Sequence, residues 1–390
     1  MLKFFKFTLV GCSLIMLSAC SGGSDSNKSI SEHTAPIGSL PVEDENATTS
    51  DQNVTVEDEN TTTSDQNVTV EDENTTTSDQ NATVEDENTT TSDNMGILKA
   101  TGIIQSFNSG SEEVKDGTLK DDGFYQVGTK AKYTKNETLG IVTDEITGLS
   151  WQDKNMTIKN LGGAEKYCEA LEVSNFNDWR LPNIKELESI IDYSSVTPSI
   201  SSKFISNNGI FVSSTVDSSN SDNVWAVDFE SGTSVFVSVS IYQNVRCVRS
   251  DKPTENIPNL TRKNNIVIDN ITKLQWEDTL NTEGNITNWE TAITYCETLK
   301  LDTFLDWRLP NIIELKSLTE RKRGIAIKGN KFLHTISGKY WSSSTDMKRN
   351  SNASNKYFAW IIDFSNAQDF NRGHKNNDEY NVRCVRSDTK

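Results

Sequence analysis

Beyond residue 118 the pattern of hydrophobic and polar residues is helix-like in some segments and strand-like in others. Apolar side chains recur at helical spacing from Leu161 to Leu171, which predicts a helix with one buried face. Asn183 can cap a second helix, because Glu186 stands three residues later and can reach back to the cap N–H. The apolar face of that helix is predicted at Ile184, Leu187, Ile190 and Ile191. Segments rich in β-branched and aromatic residues then predict strands at 224–229, 235–241 and 245–249. Two helices followed by strands indicate an α+β domain.

The whole pattern occurs a second time, which indicates two tandem copies of one domain. Ile141-Val142-Thr143-Asp144 matches Ile266-Val267-Ile268-Asp269, and Asp178-Trp179-Arg180-Leu181-Pro182-Asn183 matches Asp306-Trp307-Arg308-Leu309-Pro310-Asn311. Each copy closes with Asn-Val-Arg-Cys-Val-Arg-Ser-Asp. The offset between copies grows from 125 to 137 residues, so the second copy has acquired insertions in its loops. We predict domains at 118–251 and 255–390.

The first twenty residues indicate export. Two lysines precede an apolar stretch at 7–17, which is too short to span a bilayer as a helix but fits the core of a signal peptide. Leu17-Ser18-Ala19-Cys20 resembles the lipobox of bacterial lipoproteins, in which the cysteine is acylated. We predict a signal peptide at 1–19 and a lipid on Cys20, by which the chain is anchored to a membrane of the cell envelope. By resemblance to lipoprotein sorting rules, the non-acidic Ser21 favours the outer membrane. The alternative is an ordinary signal peptide that contains a cysteine.

A repeat with a period of 14 residues occupies 42–94 and carries most of the negative charge. The net charge is −18, and residues 1–94 hold 18 acidic and 3 basic side chains. The repeat offers no apolar seam for a coiled coil and too little apolar surface to fold. We therefore predict a disordered acidic stalk at 20–95, with a calcium-binding repeat as the alternative. Residues 95–390 hold 38 acidic and 35 basic side chains, a balance that gives no support for a nucleic-acid partner.

Four cysteines remain after the signal peptide and the lipid site, two at equivalent places in each copy. Each copy has one on the predicted first helix and one on the predicted last strand. In an oxidising compartment we expect the pairs Cys168–Cys247 and Cys296–Cys384. Four cysteines allow three connectivities, and only this one respects the repeat. The alternative is that all four are buried free thiols.

The strings IVTDEITGLSWQD, YCEAL, DWRLPNIKELESIIDYS and NVRCVRS resemble the Lcl C-terminal domain, a family named after the C-terminal domain of the Legionella collagen-like adhesin. Asp121 to Gln126 is similar to the usual lead-in to a first copy. The resemblance implies a variant of the C-type-lectin-like fold, in which a disulfide joins the first helix to the last strand. It also implies adhesion, because the namesake resembles surface proteins that bind sulfated polysaccharides.

Each candidate ligand-binding residue has a functional and a structural interpretation. Trp179 and Trp307 could stack on sugars beside the anion-binding Arg180 and Arg308, or they could fill the core while the arginines pair with carboxylates; we favour the core. We also favour the core for Trp151, Trp225, Trp276 and Trp360. Asp228 and Asp363 could face a ligand, although a solvated strand face is commoner. Lectin-type calcium sites use a carboxylate or amide before Pro-Asn, where this chain has Leu181 and Leu309, so we predict no metal site. No ligand-binding residue can be assigned.

Catalysis receives little support from the sequence. His334 and His374 have no counterparts in the first copy, and no zinc spacing, nucleophile elbow or phosphate loop is present. We therefore expect no cofactor and no enzyme; the alternative is an enzyme of the formylglycine-generating type, which needs reactive cysteines. The leading hypothesis is a surface lipoprotein that binds extracellular polysaccharide in adhesion. The second is a structural lipoprotein that binds another envelope protein.

Overall fold

The computed structural model describes residues 97–154, 157–195, 197–205, 209–250, 259–282, 284–321, 331–347 and 356–387. The predicted signal peptide, the lipid site Cys20 and the acidic stalk lie outside the described residues. No helix within these ranges is both long and apolar enough to cross a bilayer. Both copies of the repeat belong to one compact unit.

Copy one, residues 133–249, consists mainly of two sheets with two short helices. Its first sheet has the order β1-β2-β3-β9 and its second has the order β4-β8-β5-β6-β7. The helices are α2 (Leu161–Glu169) and α3 (Ile184–Glu188), and α1 (Asp122–Tyr125) precedes the copy. The strands are β1 (Tyr133–Asn136), β2 (Ile141–Asp144), β3 (Ser150–Gln152), β4 (Thr157–Lys159), β5 (Ile210–Val216), β6 (Asn223–Asp228), β7 (Thr233–Ser238), β8 (Gln243–Val245) and β9 (Val248–Arg249).

Copy two, residues 260–387, repeats this plan. Its sheets have the orders β10-β11-β12-β18 and β13-β17-β14-β15-β16. In both copies the central strands pair antiparallel, while one parallel bridge joins Phe211 to Asn244 and Tyr340 to Asn381. The helices are α4 (Trp289–Thr298), α5 (Ile312–Ser317) and a 3-10 turn (Leu280–Thr282). The strands are β10 (Leu260–Lys263), β11 (Ile266–Asp269), β12 (Leu274–Glu277), β13 (Ile286–Thr287), β14 (Lys339–Thr345), β15 (Phe358–Asp363), β16 (Gln368–His374), β17 (Tyr380–Asn381) and β18 (Val385–Ser387).

Both predicted helices of each copy are present, but the simple order of helices followed by strands is wrong. The strands β1 to β4 precede the first helix of copy one, and β5 was also missed. The segment predicted as one strand at 245–249 is interrupted at Arg246 and Cys247, so that β8 and β9 belong to different sheets. Strand β7 ends at Ser238, three residues before its predicted end. The architecture is sheet-rich with few helices.

The capping boxes formed as predicted. The side chain of Asn183 accepts the N–H of Glu186, and the Glu186 carboxylate accepts the N–H of Asn183, each at 2.9 Å. Asn311 and Glu314 repeat the device at the start of α5. Helix α3 is only five residues long, so Ile190 and Ile191 lie beyond its end, although both are buried as predicted. A helix this short is stabilised by packing and by its cap, because isolated helices of this length are unstable in water.

The two copies share one continuous apolar core. Trp151, Trp225, Trp276 and Trp360 all lie in it. The contacts across this interface are reciprocal: Tyr193 of copy one packs edge-on against Trp360 of copy two, while Arg321, at the position equivalent to Tyr193, lies 4.3 Å from the ring centre of Trp225. Equivalent surfaces therefore face each other, as in a twofold dimer.

Charged residues at this interface have diverged between the copies. Glu188 and Lys316 stand at the same helix position, and their charged atoms lie 3.2 Å apart across the interface. Asp369, which faces its own equivalent Ser234, pairs with Lys316 at 3.2 Å. Arg321 also pairs with Glu188. A symmetric pair would place like charges together at this point, whereas the tandem chain places opposite ones.

The lead-in, residues 97–126, runs from copy one to copy two. Lys99 pairs with the buried Asp144 of copy one and donates to the carbonyl of Ser189 at 2.9 Å. The later part of the lead-in, which includes α1 (Asp122–Tyr125), packs on β14 of copy two. Gly123 is required there, because an added Cβ would lie 2.2 Å from the carbonyl oxygen of Gln105. The segment that precedes the first copy thus covers part of the second.

Candidate recognition surface

A disulfide fastens the first helix of each copy to the closing segment. Cys168 bonds to Cys247, and Cys296 bonds to Cys384. All four cysteines are buried. The predicted pairing is confirmed, and the alternative of free thiols is wrong. The second cysteine of each pair lies just before the last strand rather than on it.

The Trp-Arg-Leu-Pro-Asn motif is structural. Trp179 and Trp307 are buried in the core, so neither can stack on a sugar. Arg180 donates two hydrogen bonds to the carboxylate of Glu186, at 2.6 and 2.7 Å, and Arg308 does the same with Glu314. The bidentate geometry is that of a strong arginine–carboxylate pair. The arginine therefore holds the capping box in place, as the core interpretation expected.

The other candidate side chains also have structural roles. Asp228 accepts the N–H of Glu230 at 2.9 Å, and Asp363 accepts that of Ser365 at 2.9 Å. Both aspartates thus shape the turn after a central strand. Leu181 and Leu309 are buried, and their side chains have no oxygen that could bind a cation. Within the described ranges, no group of three or more His, Cys, Asp or Glu side chains is placed to hold a metal ion.

The lead-in makes specific polar contacts with copy two. The Asp122 carboxylate accepts a hydrogen bond of 2.6 Å from the Ser344 hydroxyl. The Tyr125 hydroxyl donates to Glu297 at 2.7 Å, and the Arg308 guanidinium lies 5.8 Å from the centre of the Tyr125 ring. One hydroxyl, one arginine and one glutamate of copy two therefore hold the Asp-Gly-Phe-Tyr part of the lead-in.

A buried lysine holds the earlier part of the lead-in. Lys375 donates to the carbonyl of Phe107 at 2.5 Å and to the Thr345 hydroxyl at 2.9 Å, and its ammonium lies 3.8 Å from the ring centre of Trp289. Burial lowers the pKa of Lys375 to about 7, against the attraction of Asp121. Burial also raises the pKa of Asp122 to about 7, although hydrogen bonds from Ser344 and Thr101 oppose the rise. Titratable groups are therefore buried where the lead-in packs on copy two.

The face of copy two under the lead-in, which we call the covered face, comprises Arg308, Asn311, Ser343 and Thr345. All four are buried. The equivalent positions of copy one, which we call the open face, are Arg180, Asn183, Ser214 and Val216. The Arg180 side chain is 39% exposed, against 6% for Arg308. Val216 is 41% exposed, whereas Thr345 is fully buried. The same surface is therefore covered in one copy and solvent-accessible in the other.

The open face combines a cationic and an apolar part. The fork of the half-exposed Arg180 guanidinium is paired with Glu186, and its planar face can lie against an aromatic ring. Val216 adds exposed apolar surface on β5, a strand that is joined to the same motif by the hydrogen bond from the Ser214 N–H to the Pro182 carbonyl. Sequence reasoning missed this face, because the two motifs are identical in sequence. The available signal was that the lead-in string Asp-Asp-Gly-Phe-Tyr occurs once while the domain occurs twice.

Comparison with known proteins identifies the repeated domain. The sequence pattern of the family described as "Lcl C-terminal domain" matches the chain twice, at residues 140–249 and 265–386. No curated protein matches the chain. The two matches contain both disulfides, both capping boxes and the open and covered faces. The chain belongs to the Lcl C-terminal domain family.

Proposed function

We propose that this chain is a recognition lipoprotein of the bacterial cell envelope, held by a lipid on Cys20 and exposed at the outer membrane. Its tandem domains would bind extracellular polysaccharide in adhesion. Membership of a family named after an adhesin domain supports this role. Two buried disulfides are also what an oxidising, extracytoplasmic compartment favours.

We further propose that each copy is a variant of the C-type-lectin-like fold. Short helices, two small sheets and a disulfide between the first helix and the closing segment support that assignment. A scaffold of this kind presents loops and strand faces that can differ between copies without disturbing the core. The difference between the open and covered faces is an example.

The observation that carries the recognition role is the open face itself. A half-exposed arginine and an exposed apolar side chain on the same face are typical of a contact site rather than of an inert surface. The test is a polysaccharide array probed with the full chain, purified in detergent from membranes, alongside the Arg180→Gln variant. We expect binding to at least one polysaccharide, weakened by the substitution. An array with no binding would contradict the polysaccharide as ligand.

A protein ligand is the second candidate, and one observation favours it. The covered face already holds a polypeptide, namely the lead-in of the same chain. Affinity capture from outer-membrane extract with the full chain would test this role. Retention of one envelope protein that added polysaccharide does not displace would favour protein binding over glycan binding.

We propose that recognition is not accompanied by catalysis. All four cysteines of the folded part are in disulfides, which leaves none of them as the reactive thiol of a formylglycine-generating enzyme. Alkylation of the mature protein before reduction is expected to label no cysteine at 168, 247, 296 or 384. Lipid attachment is tested separately: Cys20→Ser should abolish labelling by palmitate and release the chain from membranes.

A further inference from the structure

The open face retains the residues that hold the Asp-Gly-Phe-Tyr part of the lead-in on copy two. Arg180 stands where Arg308 lies against Tyr125, and Glu169 stands where Glu297 accepts the Tyr125 hydroxyl. The hydroxyl is retained as well: Thr215 replaces Ser344, and each accepts the N–H of the first residue of the second helix of its copy at 3.0 Å. The three groups that contact this part of the lead-in therefore occur in both copies.

The residues that hold the earlier part of the lead-in have not been retained. Val239 of copy one takes the place of Lys375, because the carbonyl of each accepts the N–H of the first residue of the first helix, Leu161 or Trp289. Val216 likewise takes the place of Thr345, the partner of Lys375. Copy one has thus kept the groups that contact the Asp-Gly-Phe-Tyr part of the lead-in, whereas valines replace Lys375 and Thr345.

The chain does not supply a second occupant of the same kind. Asp-Asp-Gly-Phe-Tyr occurs once in the sequence, at Asp121–Tyr125, and that string is seated on copy two. Between the end of β9 at Arg249 and the start of β10 at Leu260 there are only ten residues, none of which forms such a string. The open face remains exposed around Arg180 and Val216.

We propose that the open face of copy one docks a segment of another polypeptide with lead-in chemistry: an aspartate, then glycine and an aromatic residue with a hydroxyl, flanked by apolar residues. The aspartate would face Thr215 and Arg180, the aromatic ring would lie along Arg180, and its hydroxyl would donate to Glu169. Apolar flanking residues would cover Val216 and Val239. This inference rests on the second proposed role, in which the ligand is a protein, and names the chemistry of the segment that would bind.

A direct binding measurement tests the proposal. The probe is a fluorescein-labelled peptide of residues 101–126, because Thr101 and Gln105 contact the Asp122–Gly123 turn in the seated lead-in. Anisotropy is measured against the full chain in detergent. We expect saturable binding that weakens about tenfold or more in Arg180→Gln and in Val216→Glu, since each removes or repels a central contact. A peptide with Tyr125→Ala should weaken similarly.

The matched control is Leu333→Glu, which places the same new charge on an exposed apolar residue of copy two. It should leave the affinity within about twofold of the parent. Absence of saturable binding would overturn the proposal. So would binding that neither Arg180→Gln nor Val216→Glu weakens, because the peptide would then be exchanging with the lead-in on copy two. Polysaccharide binding is measured separately on the array. A failure of the peptide-binding test therefore does not decide whether the chain binds polysaccharide.

Discussion

The two copies have the same motif, the same disulfide and the same caps, yet the same face is buried in one and exposed in the other. The difference arises outside the repeat, in a lead-in that starts on copy one and ends on copy two. A duplicated domain can therefore divide its surfaces between internal packing and external contact. The residues at each face have diverged to match: Lys375 and Thr345 serve the covered face, while valines replace them at the open one.

The largest expected effect tests what the copies share. Cys168 and Cys247 close a loop of 79 residues, and Cys296 and Cys384 close one of 88. Replacement of either pair by alanine should lower the free energy of unfolding by about 4 kcal/mol, because the unfolded chain gains loop entropy. Chemical denaturation monitored by tryptophan fluorescence measures this. If only one of the two replacements lowers the free energy of unfolding, the two disulfides do not contribute equally to stability.

Substitution of the paired arginine should destabilise the protein more in copy two than in copy one. Arg308→Gln leaves the buried Glu314 without its guanidinium partner and should cost about 3–5 kcal/mol, as for other broken buried ion pairs. Arg180→Gln also leaves a buried carboxylate, that of Glu186, but the Arg180 side chain is 39% exposed, so water can take its place and the cost should be smaller, about 1–2 kcal/mol. Denaturation of both variants gives the comparison directly. Equal losses would contradict the view that coverage by the lead-in makes the Arg308 pair more costly to break than the Arg180 pair.

The interface between the copies is tested by Lys316→Met. Lys316 is buried between Glu188 and Asp369, so its loss should cost about 3 kcal/mol through the carboxylates left behind. Lys115→Met is the matched control, because Lys115 pairs with Glu113 at an exposed site and its loss should leave the stability nearly unchanged. A Lys316→Met variant as stable as the control would mean that the opposite charges do not hold the copies together.

The smallest effect, measured per pH unit, concerns the pH dependence of the covered face. Asp122 keeps its proton in the folded protein up to about pH 7, whereas the unfolded chain releases it near the ordinary value of 3.8. The folded state thus binds more protons between these limits, and Asp122 makes stability fall as pH rises from about 4 to about 7. Lys375, whose pKa burial lowers to about 7, acts above that window.

Asp122→Asn should flatten that dependence by at most about 1.4 kcal/mol per pH unit, because one titrating group is removed. Unfolding midpoints of the parent and the variant across pH 4 to 8 measure it. The difference between the two proteins isolates Asp122 from Asp121, whose pKa burial also raises. Parallel pH profiles would show that Asp122 does not carry the proton.

Much of the architecture could be predicted because the signals are local or repeated. Asn183 with Glu186 and Asn311 with Glu314 define helix starts by a hydrogen-bond pattern that spans three residues. The repeat also restricted the cysteine pairs to one symmetric connectivity. The strands β1 to β5 were missed, because three- to seven-residue strands in small sheets carry weak alternation. The interruption at Cys247 was missed because it depends on a crossover between two sheets.

The amino-acid sequence by itself determined the duplication, the disulfide pairs, the capping boxes and the buried role of the tryptophans. Only the tertiary structure decided which copy keeps a free face, since Arg180 and Arg308 lie in identical motifs and differ only in what packs over them. The pairing of Glu188 with Lys316 also depends on the docking of one copy against the other. Contacts between residues far apart in the chain leave no periodic signal, because they are set by how the copies and the lead-in pack together.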